Sequence, residues 1–188
     1  MLKTFLKASL AKKQFGFKKI RGRLFGFDLD GVLADKPPFI SKKCLEWLFK
    51  GDSRRLHYRF PRYWWEQLLR RWSHFYLLRP PIKENLLFLK KILAHGGRVC
   101  LVSSRYSFLD RETKIWLKKN HLDSVFEQIL LNPHNLPPHL FKEEALRLLK
   151  PAVYFEDDPE IVAYLHRRLK NTRIVCLDKS TFSRRSRY

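Results

Sequence analysis

Acidic residues are scarce in this chain: 18 Asp and Glu stand against 39 Lys and Arg, leaving a formal charge of +21 and a pI near 10.2. Such a field attracts anions, whether nucleic acid, acidic lipid or a phosphorylated small molecule, and it carries no information about fold. Cysteine is rare as well. Cys44, Cys100 and Cys176 lack metal-ligand spacing, and the apolar runs around Cys100 and Cys176 lead us to expect buried thiols in a reducing compartment. No run of about 18 apolar residues occurs, so no transmembrane helix is expected. Residues 1–27 hold eight Lys or Arg and no acid, and they lack the apolar stretch of a secretory signal. We read residues 1–23 as a basic arm, with a short amphipathic helix over 2–13, in a cytoplasmic protein. A targeting segment for the mitochondrial matrix is the alternative. No internal repeat is present.

What the sequence does have, at 45% hydrophobic residues, is enough apolar material for one packed domain, read here as residues 24–178 with a basic, serine-rich tail over 179–188. Apolar runs of strand length recur over 24–27, 98–103, 125–131, 152–155 and 173–177. Between them lie helical patterns over 83–95, 110–120, 141–149 and 159–169, with Asp110 and Asn120 as cap and stop. Alternation of this kind predicts βαβ units and a parallel sheet. Residues 36–79 depart from it, with eleven Lys or Arg, three acids and eleven aromatics. They read as a small, cap-like helical insertion with helices over 41–49 and roughly 61–76. Trp65, Leu68, Leu69 and Trp72 recur there at helical spacing, which suits insertion packing or a shelf for nucleobases. His57 and His74 read as surface or packing residues.

The chemistry concentrates where strands end. Leu24-Phe25-Gly26-Phe27 runs into Asp28-Leu29-Asp30-Gly31. In an open parallel sheet, ligands bind in the crevice beyond the carboxyl ends of the strands. Side chains alternate along an extended chain, so Asp28 and Asp30 share a side. Two carboxylates so close call for a positive partner, which a hard cation such as Mg2+, accompanied by phosphate, supplies. The second apolar run ends Val102-Ser103-Ser104-Arg105, offering a hydroxyl to a phosphate oxygen. The fourth ends Glu156-Asp157-Asp158-Pro159, three acids whose repulsion also calls for a cation; Asp158 before a proline doubles as a helix N-cap.

These stretches resemble the motifs of the haloacid dehalogenase (HAD) superfamily, in the family's order, from about Leu24 to Leu177. The resemblance implies an α/β fold, a three-layer α/β/α sandwich of Rossmann-like type on a parallel five-stranded sheet ordered 5-4-1-2-3. It implies that Asp28 is the nucleophile and Asp30 the general acid/base. Ser103, or Ser104 one residue on, and Lys142 bind the substrate phosphate. Asp28, Asp30 (through its carbonyl), Asp157 and Asp158 or Glu156 hold Mg2+. The activity implied is Mg2+-dependent hydrolysis of a phosphomonoester through an aspartyl-phosphate, on a phosphorylated small molecule or nucleotide. A different class is a nucleic-acid-associated phosphatase, or a basic binding protein on the same frame, which the charge favours.

Overall fold

A computed structural model describes residues 20–37, 56 and 60–177. The expected helices over 2–13 and 41–49 and the tail over 179–188 lie outside them. Five parallel strands, β1 (Leu24–Phe27), β2 (Arg98–Tyr106), β3 (Gln128–Asn132), β4 (Val153–Glu156) and β5 (Arg173–Cys176), form one sheet in the order β3-β2-β1-β4-β5. Helices α1 (Trp64–Ser73), α2 (Lys83–Ala94), α3 (Asp110–Lys119), α4 (Pro138–Leu149) and α5 (Pro159–Arg168) connect or flank them.

Side-chain alternation divides the interior in two. Phe25, Phe27, Val99, Leu101, Val153 and Phe155 face a core closed by Leu89 and Ile92 of α2 and Trp116 and Leu117 of α3. Val102, Tyr154 and Ile174 face the other way, onto Phe141, Ala145 and Leu146 of α4 and Ile161 and Leu165 of α5. The result is the expected three-layer sandwich. Tyr154 lies over Gly26, where even a methyl group would come within 2.9 Å of its ring. The main core also reaches back to Ile20, tied down where Gly22 N–H donates to Gly96 O at 2.8 Å.

Several boundaries differ from expectation for physical reasons. β2 continues through Tyr106 rather than stopping at Ser103, because it pairs with β3 through a bulge between Ser103 and Tyr106. β3 begins at Gln128, since Val125 turns back to bond Leu122 O and only Glu127 N–H reaches Val99 O, at 2.9 Å. Asp110 is the first residue of α3 and not its cap; Leu109 stands at the N-cap without a side-chain bond, while Asn120 ends the helix as expected. α1 is shorter than predicted, closing at Ser73, with a separate 3-10 turn over Tyr76–Leu78. Cys100 is buried, and burial pushes its thiol up to about 12; Cys176, expected in the core, ends the outermost strand and is exposed.

Candidate active site

Strand parity explains how the acidic stretches meet. Phe25, Phe27 and Leu29 all enter the first core, so Gly26, Asp28 and Asp30 fall on the opposite side. On β4, Val153 and Phe155 enter that core too, which sends Tyr154 and Glu156 toward α4. Neighbouring register, Phe27 beside Phe155, then sets Asp28 level with Glu156. Lys142, in the second turn of α4, fits between them: its Nζ donates to Asp28 Oδ2 at 2.9 Å and to Glu156 Oε2 at 2.6 Å. Leu29 N–H donates to Asp28 Oδ1 at 2.7 Å. Glu156 Oε1 accepts from the N–H groups of Asp157 and Asp158 at 3.2 and 3.3 Å.

Asp157 completes the group. Oxygens of Asp28, Glu156 and Asp157 lie within 4.8 Å of one another, and Lys36 approaches Asp157 at 3.7 Å. Asp158, expected among the metal ligands, is placed elsewhere: its Oδ1 accepts from Glu160 N–H at 2.9 Å and caps α5. Glu156 takes its place in the acidic cluster. The Asp30 carboxylate is not in the cluster either. Arg105 Nε and one terminal nitrogen grip it at 2.8 and 2.7 Å, Arg79 lies at 3.2 Å, and His74 Nε2 at 3.9 Å.

Arg79, Arg105 and His74 are the contributors that sequence reasoning missed. His74 is buried, and its Nε2 faces an Arg79 terminal nitrogen at 3.0 Å, so it accepts there while Nδ1 donates to Arg70 O at 2.8 Å. Arg79 is brought to Asp30 because Asp35 N–H donates to Pro80 O and Ile82 N–H to Leu33 O. Arg105 carried a signal, two residues beyond the expected hydroxyl, but only the extended β2 brings it back to Asp30. Ser103 is 1% exposed, and its Oγ has no hydrogen-bond partner among the described residues. A buried hydroxyl left unpaired costs free energy unless a ligand answers it. Ser104 is half-buried, and its carbonyl accepts from Asn132 at 3.4 Å.

Electrostatics follow from the count of charges. Burial raises the Asp28 carboxyl, with Lys142 opposing. Burial first, then Asp28, pushes Asp157 up to about 7, and Glu156 rises to about 8 by burial against the pull of Lys142. For Lys142, burial favours the neutral amine, but Asp28 and Glu156 outweigh it and the ammonium persists. Burial would raise Asp30; Arg105 and then Arg79 override it and hold it well below the usual carboxylate range. Burial, then the two arginines, keep His74 neutral.

Three carboxylates around one lysine thus carry an excess of two negative charges when ionised, which a divalent cation with oxygen ligands would balance. Asp157 and Glu156 have raised values in the folded state, so their stabilising contribution is present at low pH and is lost as pH rises through 7 to 8. In EDTA, the fold should lose on the order of 2 kcal/mol between pH 6 and pH 8.5, about 4–8 °C in Tm. Saturating Mg2+ should erase most of that difference. An unfolding profile flat in pH without metal would contradict the crowding of charge.

Gly31 makes the turn that carries the chain away from Asp30 and the end of β1. Its φ is +76°, and a Cβ would strike the Asp157 carboxylate. Gly31→Ala should therefore cost about 1–3 kcal/mol and displace the Asp157 carboxylate, which would weaken the hold of the cluster on any divalent cation. Calorimetric titration beside thermal unfolding would check both. Unchanged metal affinity would show that Asp157 is not a ligand.

No protein-family model matches this chain, and no curated protein matches it. Its fold is nevertheless similar to solved structures. A HAD-like hydrolase from Streptococcus pneumoniae superposes with a TM-score of 0.50 at 12% identity, covering 88% of this chain and 90% of that one. A HAD-like hydrolase from Bacteroides fragilis gives 0.51 at 14%, covering 84% and 99%. A chain of the Pnkp1/Rnl/Hen1 RNA repair complex gives 0.54 at 16%, covering 83% of this chain but only 42% of that one. The fold is thus the HAD-like Rossmannoid that the sequence motifs resemble.

Proposed function

We propose that this protein is a Mg2+-dependent phosphomonoester phosphatase that works through an aspartyl-phosphate on Asp28. The observation that carries the reading is the buried Lys142 ammonium held between Asp28 and Glu156, beside Asp157 and an unpaired buried Ser103 hydroxyl. Asp28, Glu156 and Asp157 would hold the ion. When bound, Mg2+ supplies charge neutralisation for the incoming phosphate dianion.

Asp28 attacks phosphorus in line, so an Asp28 O–P bond forms as the bond to the leaving oxygen breaks. Lys142 neutralises charge on Asp28 and on the equatorial oxygens, and Ser103 donates to one of those oxygens. A proton taken up by Asp30 would pass to the departing oxygen; while Asp30 is ionised that oxygen leaves as the anion. In the second half Asp30 takes a proton from water, whose oxygen bonds to phosphorus as the Asp28 O–P bond breaks, releasing phosphate and restoring Asp28. Arg105 and Arg79 hold Asp30 ionised, the form that serves as a base; they oppose proton donation. Esters with acidic leaving groups should therefore turn over faster than alkyl phosphates.

Phosphate release would be followed on p-nitrophenyl phosphate, nucleoside monophosphates, sugar phosphates and 3′- or 5′-phosphorylated oligonucleotides, with Mg2+ or EDTA. Loss of all turnover in EDTA and its return with Mg2+ is expected. Turnover indifferent to EDTA would overturn the metal requirement. A second reading, a nucleic-acid-associated phosphatase, is supported by the +21 charge and by the likeness to a chain of an RNA repair complex. It predicts that phosphorylated oligonucleotides are the best substrates and that their binding weakens steeply with salt.

A further inference from the structure

The α1 helix is turned the wrong way round for a helix that serves only its own core. Its sequence, Trp-Trp-Glu-Gln-Leu-Leu-Arg-Arg-Trp-Ser, buries Arg70 and Ser73, while Trp64 and Trp72 are 76% and 71% exposed and Trp65, Leu68 and Leu69 are exposed beside them. Leu77, just beyond, is 68% exposed. The helix is anchored by polar contacts to its surroundings: Arg71 to Glu112 at 2.8 Å, Arg70 over the Tyr106 ring at 5.5 Å, and Arg79 Nε donating to Ser73 O at 2.9 Å. Rolling the helix over to bury its tryptophans would strip those contacts and disturb His74 and Arg79. The apolar face is thus held outward.

We propose that this face docks the protein on an anionic membrane surface. Three observations select that occupant. Tryptophan and leucine gathered on one face, with the exposed Arg62 just before the helix, is the composition of an interfacial amphipathic segment. Indole suits the boundary between headgroups and acyl chains, because its apolar body and N–H are satisfied on opposite sides. The +21 charge draws the protein to anionic lipid, and the same charge repels a second copy. No helix among the described residues is long and apolar enough to cross a membrane, so the helix lies on the surface. Single-stranded nucleic acid fits the face less well. It requires cations interleaved with the aromatics to follow phosphates, whereas Arg70 points inward and Arg71 is paired with Glu112.

The test is sedimentation of the full chain with vesicles of phosphatidylcholine alone or mixed with phosphatidylglycerol, alongside quenching of tryptophan fluorescence by brominated lipid. Binding to the mixed vesicles only, weakened by salt and accompanied by quenching, is expected. Two variants, Trp64→Ser with Trp72→Ser, and Leu68→Ser with Leu69→Ser, should each lower partitioning about tenfold or more. Circular dichroism should stay at wild-type values, since both pairs are exposed side chains. Vesicle binding undiminished in both variants would overturn the proposal. So would absence of vesicle binding together with oligonucleotide binding that the variants abolish, or a dimer in light scattering that the variants dissociate. None of these outcomes depends on whether the protein hydrolyses phosphomonoesters.

Discussion

Asp28→Asn is expected to lower phosphatase turnover by about 10⁴-fold or more, with the fold intact. The substitution keeps the shape of the side chain and removes the charge that the proposed attack on phosphorus requires. Asp28 is buried, with Leu29 N–H on one oxygen and Lys142 on the other, so no neighbour can take over the attack from the same place. Glu156 lies in the same cluster, but its oxygens are taken by Lys142 and by two backbone N–H groups. Removing one of three crowded carboxylates should leave thermal stability in EDTA unchanged or slightly higher, because the burial that raises Asp28 is a cost of ionising it. Rapid-quench trapping of phosphorylated protein should succeed with wild type and fail with the variant. Turnover within about tenfold of wild type would move the nucleophile elsewhere.

Lys142→Met should produce the largest loss of stability. The side chain is 2% exposed and is held by two carboxylates, so methionine fills similar volume while leaving Asp28 and Glu156 buried against each other. Removing one partner of such a cluster costs about 3–5 kcal/mol. The direction with pH follows from the sign of the shifts. Without the ammonium, both carboxyls stay protonated to higher pH in the folded state than in the unfolded chain. The variant should therefore be nearest to wild type at about pH 5 and fall away as pH rises through 7 to 8. Mg2+ should recover part of the loss at pH 8. Turnover should fall about 10²- to 10³-fold even where the variant is folded, since the equatorial oxygens lose their charged donor. Denaturant unfolding at the two pH values separates the effects. Equal stability of variant and wild type at pH 8 would show that Lys142 does not hold the cluster.

Much of this arrangement can be read from the chain before any coordinates. Apolar runs ending in Asp28, Ser103 and Glu156-Asp157, alternating with helical patterns, dictate a parallel sheet with its polar chemistry at the carboxyl ends. Asp158 before Pro159 declares itself a helix cap from local geometry alone, and it is one. Glu156 was also within reach: if Val153 and Phe155 are core residues, Glu156 must leave on the other face with Tyr154.

The rest needed the folded chain. The polar end of β2 carries no apolar signal, so its extension to Tyr106, and with it the return of Arg105 to Asp30, depends on pairing with β3. Helical spacing in residues 64–73 specifies a helix but leaves its roll open, and the spacing alone suited burial of the tryptophans. Polar anchors from α3 and β2 turned that face to solvent. Local periodicity and strand-end chemistry thus determined the sheet and the acids that gather at its edge. Only tertiary contacts decided which cations hold which carboxylate and which face of α1 is free, because both depend on residues far apart in sequence meeting across the sheet.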